Sequence, residues 1–95
     1  MKLPATATLD ETAALAQALP AEIAAGSGPL TVDASALTTF DSSAIALLLQ
    51  ARRLAQAAGR GFAVHGAPAK LAELATLYGV VELLSLDGTA GKAPA

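Results

Sequence analysis

The chain has 95 residues, a formal net charge of −2, one histidine and no cysteine, which bounds it to one domain without disulfides or thiolate metal sites. Charge is sparse and nearly balanced and aromatic residues make up 3% of the chain, so it lacks the basic patch and the stacking platforms of a nucleic-acid binder. The opening MKLPATATLDE has no apolar core of a signal peptide, and no run approaches the roughly 18 apolar residues of a membrane span. The expected location is therefore the cytoplasm.

Residues 1–9 alternate loosely, with Thr6 and Thr8 opposed to Ala5, Ala7 and Leu9. They read as a short strand at a sheet edge, because Pro4 cannot donate to a ladder. Residues 10–25 read as a helix, capped by Asp10 or Thr12, with Leu15, Ala18, Leu19 and Ile23 on one face. Pro20 should kink that helix or divide it in two. Gly26-Ser27-Gly28-Pro29 breaks the chain. A second strand follows over residues 30–34, with Leu30, Val32 and Ala34 on one side and Thr31 and Asp33 on the other. Residues 35–39 form a loop, and Thr39-Phe40 offers a last extended step.

Asp41 or Ser42 then caps a helix that has no Gly or Pro before residue 58, about four turns in length. The helical repeat directs Ala44, Leu47, Leu48, Ala51, Leu54, Ala55 and Ala58 towards the sheet. Ile45 and Leu49 fall beside Arg52 on the flank, a strip that is apolar at its start and basic towards its middle. Arg53 lies further out. Gly59-Arg60-Gly61 turns into a third strand over residues 62–65. Pro68 opens a third helix whose buried stripe is Leu71, Leu74, Ala75 and Tyr78, and Gly79 stops it. Residues 80–86 supply a last strand or short extended piece. The domain is thus expected over residues 1–86, with a flexible tail at 87–95. The alternation of strands and helices predicts an α/β fold: a mixed, mainly parallel four-stranded sheet packed by helices.

Asp41-Ser42-Ser43 is where polar groups gather at a helix start. One of them caps the exposed N–H groups, and capping needs only one. A phosphate on Ser42 would suit the helix end but would place charge beside Asp41 and against any docked apolar surface. A catalytic triad would need Ser42 or Ser43 to meet His65 and Asp33 or Asp41, yet the chain lacks the G-x-S-x-G elbow. No enzyme activity is expected. Neither a metal nor a cofactor is expected: the lone His65 cannot hold a metal, and the glycines form no phosphate-binding fingerprint. Arg52, Arg53 and Arg60 read as a solvated rim.

The stretch from residue 30 to residue 84, with VDASALTTFDSSAIALLLQARRLAQAAGRGFAVHGAPAKLAELATLYGVVELL over residues 32–84, resembles a STAS domain. The D-S-S before an apolar helix and the L-x-x-L-x-x-L-Y-G helix carry the likeness. Two branches of that family compete. Anti-sigma factor antagonists carry D-S-S-G and are phosphorylated on the first serine, here Ser42, but this chain has Ala44 in place of the glycine and a short N-terminus. The MlaB-type branch, the small subunits of the Mla phospholipid-transport ABC system, is similar in Thr8-Leu9-Asp10, in Asp41 to Leu49 and in Leu74-Ala75-Thr76-Leu77-Tyr78. This resemblance implies a non-catalytic regulatory subunit that binds and stabilises the transporter's ATPase, peripheral to the inner membrane through that partner. Asp41, Ser42, Ser43, Ile45, Leu49 and Arg52 would form the contact surface. The alternative is an antagonist of an anti-sigma factor kinase, switched by phosphorylation of Ser42. The same strip leaves room for a homodimer.

Overall fold

The computed structural model describes residues 1–80. In chain order its elements are β1 (Thr6–Ala7), α1 (Leu9–Ala24), β2 (Leu30–Asp33), β3 (Thr39–Phe40), α2 (Ser42–Ala57), β4 (Phe62–His65) and α3 (Ala69–Leu77). The protein is a small α/β domain with three helices and two two-stranded parallel ladders among the described residues. β1 pairs with β3, and β2 pairs with β4. An isolated bridge between Lys2 and Asp33 joins the chain ahead of β1 to the end of β2. Leu3 N–H donates to Asp33 O and Asp33 N–H to Met1 O, each at 2.8 Å. The N-terminal segment therefore runs beside β2 and then beside β3, with exposed Pro4 between the two pairings. The expected last strand over residues 80–86 and the tail at 87–95 lie outside the described residues, except Val80.

The period-two pattern sorts the strands as the sequence implies. Leu3, Ala7, Leu30, Val32, Ala34 and Val64 are buried. Lys2, Thr6, Thr31, Thr39 and His65 lie exposed on the opposite face. α1 and α2 share the more extensive helix–helix interface, and Ala44, Ala51, Ala55 and Ala75 in the core let helices approach closely. Leu19, Ile45, Leu48 and Leu71 fill the larger spaces. Each such side chain contributes about 1.5–3 kcal/mol by leaving water.

Several expectations change, beginning with the cap of α1, which is Thr8 rather than Asp10 or Thr12. Pro20 lies inside α1 but does not divide it: the helix is continuous over 16 residues. Pro20 sits on the exposed side, while Leu19 and Ile23 on either side of it are anchored in the core, and their burial outweighs one missing hydrogen bond. Tyr78 belongs to the surface, 53% exposed at the C-cap of α3, rather than to the buried stripe. Ala58 is exposed as well, because α2 ends at its C-cap.

Arg60 is no solvated rim. Its N–H donates to Ala55 O at 2.8 Å while Gly59 N–H donates to Gln56 O, closing α2 in a Schellman turn that Gly59 permits with φ of +74°. Its guanidinium closes a different helix: Nη1 donates to Ile23 O at 2.9 Å and Glu22 O at 3.3 Å at the end of α1, and Nε donates to Gly28 O. The last turn of α1 has no basic residue of its own, so Arg60 supplies the charge that its carbonyls favour. Arg60→Ala should lower the unfolding free energy by about 1.5–3 kcal/mol in urea denaturation. Arg60→Lys should recover less than half of that loss, because a single ammonium cannot serve carbonyls on both sides of the loop.

Candidate docking site at the paired helix starts

β1 and β3 end in register, with Thr6 opposite Thr39 and Ala7 opposite Phe40. Each strand is followed by one cap residue, Thr8 or Asp41, and then by a 16-residue helix. The starts of α1 and α2 therefore lie side by side at one end of the ladder. This pairing places two sets of unpaired helix N–H groups together.

Each start is capped by acidic chemistry. In α1, Glu11 Oε1 accepts from Thr8 N–H at 3.0 Å and from Thr8 Oγ1 at 2.6 Å, the reach-back half of a capping box. In α2, Asp41 Oδ1 accepts from Ser43 N–H at 2.9 Å and from the Ser43 hydroxyl. The Ser43 hydroxyl, followed by the Ser43 N–H, holds the Asp41 carboxyl below its ordinary pKa, and the backbone of Leu9 in α1 adds to the effect. Glu11 is likewise held low, first by the Thr8 hydroxyl and then by backbone N–H groups. Both carboxylates thus stay ionised to lower pH than they would without these partners.

Of the three polar residues at the α2 start, Asp41 and Ser43 make the cap. Ser42 is exposed at the first helical position, and among the described residues the cap bonds run to Ser43 rather than to it. The carboxylate of Asp33, the other acid considered for a triad, accepts from Ser35 N–H at 2.9 Å, away from this cap.

The flank strip needs correction. Ile45 is 1% exposed and belongs to the core, so it cannot present a contact surface. α2 is covered both by the ladders and by α1, which widens its buried arc beyond a single stripe. Leu49 is half-buried against the core and Arg52 is half-buried. The exposed face of α2 instead runs Ser42, Ala46 and Arg53, with Leu49 along its margin. Ala46, at i+4 from Ser42, shares that exposed face. Beside the site, Thr38, Thr39 and Phe40 form one wall of an open groove of about 490 Å³, and Lys70, Glu73, Leu74 and Leu77 form the other.

A small α/β domain with three helices, parallel two-stranded ladders and an exposed serine at the start of its second long helix is consistent with a STAS-type domain. A family model described as "Mlab, STAS domain" matches residues 1–85, and the chain belongs to that family, of the MlaB type. A search of curated proteins found no match. No described helix is long and apolar enough to cross a membrane.

Proposed function

We propose that this protein is a non-catalytic regulatory subunit that docks on the ATPase of an Mla-type phospholipid-transport ABC transporter and stabilises it. The observation that carries the reading is Ser42: exposed at the start of α2, spared from the cap, and followed by the exposed Ala46. A small hydroxyl and a methyl group present a flat face that a partner can approach closely. Membership of the MlaB-type family supports the choice of partner. Membrane association would then be indirect, through the transporter, with no cofactor and no nucleic acid involved.

Co-purification with the co-expressed ATPase tests this. Ser42→Arg should abolish capture of the ATPase while leaving the melting curve of the isolated protein unchanged. Undiminished capture would sink the assignment of the site.

Exposure of Ser42 also favours one other reading, an anti-sigma factor antagonist switched by a kinase. Ala44 is fully buried beneath that serine, where the antagonist branch favours glycine. Incubation with the anti-sigma factor kinase and ATP, followed by intact-mass measurement, separates the two readings. A phosphoryl group on Ser42 would support the antagonist.

A further inference from the structure

We infer that Leu9, set among Asp10, Glu11 and Asp41, anchors this docking surface, and that it fits a protein partner presenting an apolar recess rimmed by Lys or Arg. The inference rests on the docking role proposed for the α2 start and names the chemistry of its partner. Leu9 is 68% exposed, although it is the first residue of α1 and the buried positions of that helix begin only at Thr12. Among the described residues its side chain is not part of the hydrophobic core. The register of Ala7 with Phe40 brings Leu9 level with Ser42 at the neighbouring helix start. A leucine left in water beside a docking face gains most when a partner covers it.

The charges around it decide what that partner can be. The first turn of α1 carries Asp10 and Glu11, and Asp41 adjoins them. Each helix start contributes only about half a positive charge, so the locality remains negative by about two charges. Lys70, across the groove, has Glu73 on its own helix within the same lining. Arg52 and Arg53 lie roughly 15 Å down α2, beyond a Debye length at physiological salt. The exposed face is therefore acidic around its apolar anchor and basic at its far end. A partner with the opposite polarity binds in one orientation only, and an anionic lipid surface is repelled from the end that carries Leu9.

Calorimetric titration of the purified ATPase with wild type, Leu9→Asp, Asp10→Lys and Ser42→Arg tests the assignment. Aspartate is welcome at a helix start, so Leu9→Asp should fold normally. It should weaken binding at least about tenfold. Asp10→Lys should weaken binding several-fold at about 50 mM NaCl, with the difference fading by about 300 mM. If Leu9→Asp binds like wild type while Ser42→Arg does not, the anchor is wrong and the docking role stands. If none of the substitutions weakens binding, both fall. Sedimentation of the wild type, but not Leu9→Asp, with phosphatidylglycerol vesicles would overturn the partner class.

Discussion

Ile45→Asp should leave no cooperatively folded protein at room temperature, whereas Ala46→Arg, one residue further along, should melt within a degree or two of wild type. Ile45 is 1% exposed and sits in the core with Leu47 and Leu48. A carboxylate there would find no cation, and an unpaired buried charge costs several kcal/mol. The lost apolar packing adds about 2–5 kcal/mol. The sum rivals the 5–15 kcal/mol typical of a whole small domain. Ala46 faces solvent, and arginine is nearly as good a helix former as alanine, so its substitution should change stability by less than about 0.5 kcal/mol. Circular dichroism melts of the two variants check the division of α2 into a packed face and a docking face. Equal behaviour would contradict it.

Gly66→Ala should lower the unfolding free energy by about 2–4 kcal/mol, and Gly59→Ala by only about 1–2 kcal/mol. Both glycines have positive φ, +70° and +74°, so both substitutions incur the left-handed backbone penalty. They differ in what a new methyl group would meet. At Gly59 nothing lies within 4 Å. At Gly66 an added Cβ would stand 2.9 Å from Ser35 Cβ and 3.2 Å from its Cα and N. Ser35 cannot retreat easily, because its N–H is held by Asp33 Oδ1 and Ala34 N–H is bonded to His65 O at 2.8 Å. Gly66 is thus where the loops after β2 and β4 touch backbone to backbone. Guanidinium denaturation of both variants measures the difference, and equal losses would show that the contact is of no consequence.

Much of this architecture can be read from local pattern. The alternation Leu30, Val32, Ala34 and the cap at Asp41 are decided within a few residues, and they appear in the structure where the pattern puts them. Features that depend on two distant segments are harder to read. Thr39-Phe40 offered only an extended step; its pairing with Thr6–Ala7 is what sets α1 and α2 side by side. A helical wheel puts Ile45 on a flank because it assumes one packed side, and α1 adds a second. Arg60 looked solvated because its acceptors, the carbonyls of Glu22, Ile23 and Gly28, lie more than thirty residues away. At the site, the three polar residues were evident, but their division of labour was not. Only the geometry assigns Asp41 and Ser43 to the cap and leaves Ser42 outward. Leu9 gave no signal of its own, since an apolar residue before an amphipathic helix reads as core.

The claim that the outward face of α2 is a docking surface is tested most directly by calorimetric titration of the ATPase with Ala46→Arg. Wild type should bind with a saturable heat signal, and Ala46→Arg, folded and equally stable, should bind at least about tenfold more weakly because a long charged side chain props the two faces apart. An affinity for Ala46→Arg equal to that of wild type would contradict the account.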